Sequence, residues 1–201
     1  MTEITFVRHG QTDWNLDRRI QGLTDIPLND VGRAQALRSA GRLAAWRWDA
    51  IVSSPLVRAL ETAQIIATRL GLDDPRPVQG LEERAHGEME GMTFEERQAA
   101  FPGAAPVPGL ESRDDVIARV LAALRGLPDG DDGRRVLAVT HGGVIGSLLR
   151  HVTNGDLPAA GQIVANGSFH DFHLQGGELS LVEFRPMDAD PELDRERVAP
   201  R

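Results

Sequence analysis

The chain has 201 residues, a formal charge of -8, 41% hydrophobic residues and no cysteine. That length suits one globular domain with a sizeable core, and its negative field disfavours nucleic acid or an anionic membrane as a general partner. Without cysteine there is neither a disulfide framework nor a thiolate nucleophile.

Ile4-Thr5-Phe6-Val7 reads as a short buried strand, and Met1 to Val7 lacks the basic start and apolar centre of a signal peptide. No apolar run approaches bilayer length, so the expectation is a soluble, cytoplasmic protein. Pro27-Leu28-Asn29-Asp30 supplies a turn and a helix cap before Val31 to Trp48, with an apolar stripe at Ala34, Leu37, Ala40, Gly41, Leu43 and Ala44. Ala50-Ile51-Val52 is a second strand. Ser53-Ser54-Pro55 then reads as a cap with proline in the first helical turn, opening a helix to about Leu70 with Arg58 near its start. Thr93 to Glu96 fits a capping box, and Ser112 to Leu124 an amphipathic helix. Val136-Leu137-Ala138-Val139 is the clearest buried strand, and it passes through Thr140-His141-Gly142-Gly143 into an apolar helix, Val144 to Val152. Ser168 to Leu174 and Leu179 to Phe184 flank Gln175-Gly176-Gly177-Glu178 and predict an antiparallel hairpin.

Strands alternating with helices predict a three-layer α/β/α sandwich around a mixed, mostly parallel sheet. The domain is expected to span 1–186. Residues 187–201 alternate charges and prolines and read as a polar tail, and Gly103 to Gly109, rich in Ala and Pro, reads as a loop over the site.

One junction occurs twice: Phe6-Val7-Arg8-His9-Gly10 and Ala138-Val139-Thr140-His141-Gly142. Ligands of open α/β sheets collect beyond the carboxyl ends of strands, so neighbouring strands would bring both imidazoles into one cleft. Gly142 precedes a helix whose free N–H groups suit an anion, and Arg8 and Arg58 would reach the same place. A neutral imidazole nitrogen can attack phosphorus while guanidinium forks hold the equatorial oxygens. A leaving alkoxide then needs a proton from a carboxylic acid, which can later activate water as a base. The segment Gly80 to Gly91 carries Glu82, Glu83, Glu88 and Glu90, and the pattern alone does not choose among them. Zinc on His9, His141 and Glu83 is disfavoured because two arginines would repel the cation, so no metal and no cofactor is expected.

Arg8-His9-Gly10 with Trp14-Asn15, Gln21-Gly22, Ser53-Ser54-Pro55 with Arg58-Ala59 and Glu61-Thr62-Ala63, the Leu81 to Gly91 segment and His141-Gly142-Gly143 follow one another in an order that resembles the histidine phosphatase superfamily. Within it the likeness is to the phosphoglycerate mutase-like branch. The resemblance implies that His9 is the phosphorylated nucleophile, that Arg8, Asn15 and Arg58 bind phosphate, and that His141 and the Gly142 N–H donate to the transferring group. Glu83, four residues before Gly87, has the spacing of the family's proton donor and is preferred over Glu82, Glu88 and Glu90. Gln21, Gly22 and Arg84 match positions that touch the rest of the substrate. His86, His151, His170 and His173 are read as structural hydrogen-bonders, and Glu88 and Glu90 as surface or supporting groups.

Mutases of this branch carry a longer insertion after the acid motif, with paired basic residues. Here Thr93 to Glu111 is short and offers Arg97 inside it and Arg113 just beyond. The expected activity is therefore hydrolysis of a small phosphate monoester. A 2,3-bisphosphoglycerate-dependent phosphoglycerate mutase is the runner-up, and a phospho-ligand-binding scaffold is the alternative of another class. Oligomeric state is left open.

Overall fold

The computed structural model describes residues 1–127 and 133–185, so the expected tail at 187–201 lies outside the described residues. Its strands are β1 (Thr2–Arg8), β2 (Ala50–Ser53), β3 (Arg76–Pro77), β4 (Arg135–Thr140), β5 (Phe169–Gln175) and β6 (Glu178–Glu183). They form one sheet in the order β3-β2-β4-β1-β5-β6. The β1–β4, β4–β2 and β2–β3 pairs are parallel, and β5 runs antiparallel to both β1 and β6. The helices are α1 (Asp13–Leu16), α2 (Asp30–Leu43), α3 (Val57–Leu70), α4 (Phe94–Ala100), α5 (Arg113–Arg125) and α6 (Gly142–Val152), with a 3₁₀ turn at Gly87–Met89.

Side chains alternate across a strand, and here the alternation builds two cores. Ile4 and Phe6 of β1 and Val136 and Ala138 of β4 face Val116, Val120 and Leu124 of α5 and Ile145, Leu148 and Leu149 of α6. Val7, Leu137 and Val139 point the other way, onto Ala40 and Leu43 of α2 and Ala59, Ala63 and Ile66 of α3. The expected α/β/α sandwich is therefore present, closed at one side by the hairpin. Phe172 of β5 meets Phe6 edge-on with centroids 5.3 Å apart, the geometry that ring quadrupoles favour.

Three details depart from the pattern read in the sequence. Helix α2 stops at Leu43, whose carbonyl accepts a bond from the Trp48 indole at 2.8 Å; the indole satisfies an end group that a further turn would have used. Its buried face is Gly32, Gln35, Ala36, Ser39, Ala40 and Leu43, while Leu37 is exposed. Small and polar residues face inward because this helix lies against backbone: a Cβ on Gly10 would fall 2.3 Å from the Gly32 oxygen, and the Gln11 N–H donates to Gln35 Oε1. Helix α3 begins at Val57 rather than after Ser54, and no side chain caps it. The caps at Asn29 and Thr93 form as expected, and Ser112 caps α5.

His170 on β5 is buried, with Nε2 against Ser168 Oγ and Nδ1 accepting the Arg185 N–H. Burial pushes its pKa down to about 4. The folded state thus holds this ring neutral where the unfolded chain, near pH 6.5, takes a proton. Its contribution is complete above that value and is lost progressively as pH falls from 6.5 toward 4. Wild type should lose about 2 kcal/mol more stability than His170→Gln between pH 7 and pH 5, by urea unfolding at each pH. Equal losses in the two proteins would refute the assignment.

Candidate active site

Strands β1 and β4 lie side by side with Arg8 opposite Thr140, and the His9 N–H donates to the Thr140 carbonyl at 3.0 Å. Both chains leave the sheet there, so the two His-Gly junctions open into one cleft. The His9 and His141 rings stand 5.1 Å apart at 59°, and both are buried.

His9 Nδ1 lies 2.6 Å from the Gly10 carbonyl oxygen. A carbonyl only accepts, so Nδ1 carries the proton and Nε2 keeps its lone pair. Burial, then the Arg8 and Arg58 charges, hold this imidazole well below its ordinary pKa, against the opposing bond to Gly10. The ring is therefore neutral near pH 7. Its loop is held from two sides. Asn166 Nδ2 donates to the carbonyls of His9 and Gly10 at 3.1 and 3.3 Å, and the Gly10 N–H donates to Thr62 Oγ1, whose hydroxyl bonds the Arg58 carbonyl.

Arg58, in the first turn of α3, is fully buried. Its two terminal nitrogens donate to the Thr24 and Gly22 carbonyls at 2.9 and 2.8 Å, while Nε is buried without a hydrogen-bond partner. Burial lowers its pKa against the Glu83, Asp25 and Glu90 charges, and a guanidinium remains cationic regardless. Arg8 donates from Nη1 to the Val164 carbonyl, and its guanidinium lies against Gly142, where a Cβ would come 3.2 Å from Nε.

His141 is the residue before α6. Its Nε2 is 2.8 Å from Ser54 Oγ, and Nδ1 is buried with no partner. Ser54 Oγ also accepts from the Leu56 N–H; when its own hydroxyl donates to His141 Nε2, the imidazole proton stands on Nδ1. Burial first, then Arg58, His9 and Arg8, hold this ring too well below its ordinary pKa. Asn15 accepts at Oδ1 from the Thr12 N–H and from Asn166 Nδ2, so the group it can offer a ligand is Nδ2. Gln21 is buried with an unpartnered Oε1, beside Gly22.

Glu83 meets the start of α6. Its Oε2 accepts from the Gly143 N–H at 3.1 Å and its Oε1 from the Arg84 N–H at 2.8 Å. No side chain at 143 is compatible with this contact, since a Cβ there would lie 2.5 Å from Oε1. Arg119 of α5 holds the segment from beneath, donating to the carbonyls of Gly80, Glu82 and Glu83 and to the Glu111 carboxylate. Arg84 turns its Nε to the Glu111 carbonyl. Of the other carboxylates in this stretch, Glu82 folds back on the Gly80 N–H, Glu88 is exposed, and Glu90 binds the 23–24 loop. The 103–109 segment packs on the outside of the acid segment, where the Pro108 carbonyl accepts the Glu88 N–H and Leu110 bridges to His86.

The candidates from both ends of the chain thus converge on one cleft. Three supporting residues were missed as such: Ser54, Thr62 and Asn166. Ser54 and Thr62 sit inside motifs already conspicuous in the sequence, but nothing local marks Asn166, which precedes β5. His86 is half-buried, with Nδ1 unpartnered and its pKa lowered by burial. Among the described residues no three His, Asp or Glu side chains are grouped to hold a metal ion, and no helix is long and apolar enough to cross a membrane.

A family model for the histidine phosphatase superfamily (branch 1) matches residues 4–185. The uncharacterized phosphatase PhoE of Bacillus subtilis is 39% identical over 156 residues, covering 78% of this chain and 80% of the relative. A metal-independent phosphoserine phosphatase of Arabidopsis thaliana is 36% identical over 187 residues, covering 87% and 77%. The solved structure of a mycobacterial glucosyl-3-phosphoglycerate phosphatase with VO3 superposes with a TM-score of 0.76 at 32% identity, covering 90% of this chain and 96% of that one. With this match across the sheet and around both His-Gly junctions, the chain belongs to branch 1 of the histidine phosphatase superfamily.

Proposed function

We propose that the protein hydrolyses a small phosphate monoester through a phosphohistidine on His9. One observation carries this reading: the Gly10 carbonyl fixes the proton on Nδ1, so Nε2 presents a lone pair between two arginine charges that oppose its protonation. Such a nitrogen is ready to attack phosphorus.

In the first step His9 Nε2 forms the P–N bond as the ester P–O bond breaks, and Glu83 gives its proton to the leaving oxygen. Arg8, Arg58, Asn15 Nδ2, His141 Nδ1–H and the Gly142 N–H take the phosphoryl oxygens, on which the transition-state charge is spread. In the second step water attacks phosphorus, the Glu83 carboxylate accepts its proton, and the P–N bond breaks to return the lone pair to His9. Gln21, Gly22 and Arg84 line the route to the rest of the substrate. Relatives named for phosphoserine and for glucosyl-3-phosphoglycerate support a small phosphorylated substrate.

A panel of phosphate esters assayed with and without 2,3-bisphosphoglycerate tests the reading. The expected result is release of inorganic phosphate without the primer. Isomerisation that depends on the primer would make the protein a mutase, and binding without either reaction would make it a scaffold.

A further inference from the structure

Glu90 accepts four hydrogen bonds: from the N–H groups of Leu23, Thr24 and His86 at 3.0, 3.0 and 3.1 Å, and from the Thr24 hydroxyl at 2.7 Å. The other side of that loop faces Arg58. The Gly22 carbonyl accepts from one guanidinium nitrogen and the Thr24 carbonyl from the other. The Gly22 carbonyl and the Leu23 N–H belong to one peptide group. That group is planar and stiff, and it lies between a carboxylate at its N–H and a guanidinium at its oxygen. Its dipole is aligned with both charges, so the two ions support each other across the peptide.

We propose that Glu90 is a positioning residue for Arg58, acting through the Gly22–Leu23 peptide to fix where the guanidinium meets the phosphate. This rests on the phosphatase reading for its consequence in turnover, though not for its consequence in anion binding. Several features agree with it. Gly22 has φ +56, and a Cβ there would fall 2.0 Å from Glu90 Oε1, so the loop lies directly on the carboxylate. Glu90 sits below its ordinary pKa, because the bonds from Thr24, Leu23 and His86 together outweigh burial, the largest single influence, which acts the other way. It is therefore ionised near neutral pH. Arg58 makes its other links from its own helix, and these do not fix the far end of the side chain. The two loop carbonyls do, and both move if the carboxylate is removed.

The test is a double-mutant cycle read in two ways: hydrolysis of p-nitrophenyl phosphate, and titration of the resting protein with vanadate. Glu90→Ala should weaken vanadate binding and kcat/KM by about 10- to 100-fold, the size of a charge-assisted hydrogen bond lost from the phosphate. Glu90→Gln, which keeps one acceptor oxygen but turns an NH₂ toward backbone donors, should fall between Glu90→Ala and wild type. In the Arg58→Ala background, Glu90→Ala should cost less than threefold more, because its route of action is already gone. Equal costs in both backgrounds, or unchanged vanadate affinity in Glu90→Ala, would overturn the proposal. If Glu90→Ala does not fold, Glu90→Gln and Thr24→Val carry the same cycle. Should wild type bind vanadate yet hydrolyse no ester, the function falls while the cycle still decides the role of Glu90 from the titration alone.

Discussion

His9→Ala is expected to reduce phosphate release by ~10⁴-fold or more, the scale seen when a covalent nucleophile is removed, while the thermal transition changes little. The structure separates these outcomes. The ring is buried, but its hydrogen bond is to the neighbouring Gly10 carbonyl, so no distant element loses a partner when it goes. The loop itself is fastened by its backbone, through the Thr140 carbonyl, Thr62 and Asn166. The covalent step gives a second readout. Wild type quenched in base during turnover should carry phosphate on a nitrogen that acid releases, and His9→Ala should carry none. The pH profile follows from the same ring. Because burial and two arginines hold His9 well below the usual imidazole value, protonation of the nucleophile should not produce an acid limb near pH 6.5 in kcat/KM. A variant that still turns over at the wild-type rate, or label that survives acid, would remove His9 from the mechanism.

The residues that made this legible are those whose chemistry is incompatible with a plain structural role. Two apolar strands that each end in His-Gly pointed to one shared cleft on condition that they were neighbours, and the parallel β1–β4 pair puts both junctions at the same end. The hairpin and the caps at Asn29 and Thr93 were equally plain, since local backbone geometry dictates them. What failed was long-range. The first half of the inner face of α2 could not be read from hydropathy, because there the helix meets the backbone of the 10–11 loop, so Gln35 and Gly32 face inward and Leu37 outward, while Ala40 and Leu43 join the side-chain core. Ser54 looks like a helix cap by its neighbours, yet its hydroxyl meets His141, at the junction of β4 and α6. Glu90 was read together with Glu88 as a surface or supporting group, with nothing to tell the two apart. Its distinction lies in four donors from two separate segments, which no window of sequence contains.

Charge shows the same division. The chain as a whole is at -8, but the cleft sets Arg8 and Arg58 around His9, and Glu83, Asp25 and Glu90 around Arg58. Burying a cation of this kind is costly unless its donors are engaged; Arg58 engages two loop carbonyls and keeps Nε buried without a partner. The fixed donors then need little rearrangement when a phosphoryl group arrives, which is what makes such a site effective at the transition state.

Glu83→Gln should discriminate between substrates by their leaving groups. General acid catalysis supplies roughly 10²- to 10⁴-fold where the departing oxygen is a poor leaving group, so hydrolysis of an alkyl ester such as phosphoserine should fall by that amount. A nitrophenolate leaves without a proton, so its phosphohistidine-forming step should be nearly unaffected, visible as a burst of nitrophenol. Steady turnover of that ester should still slow, because the same carboxylate takes the proton from water in the second step. Glutamine keeps one oxygen for the Gly143 N–H but turns its NH₂ toward the Arg84 N–H that the other oxygen accepts, so a stability loss of about 1 kcal/mol is expected, which does not depend on the leaving group. The alternative acids predict otherwise. Glu82 is bonded to the Gly80 N–H and Glu88 is exposed, and neither change should depend on the leaving group. If Glu83→Gln slows both esters equally with no burst, the carboxyl is holding the fold of the segment above Arg119 rather than moving a proton, and the donor must be sought elsewhere in the cleft.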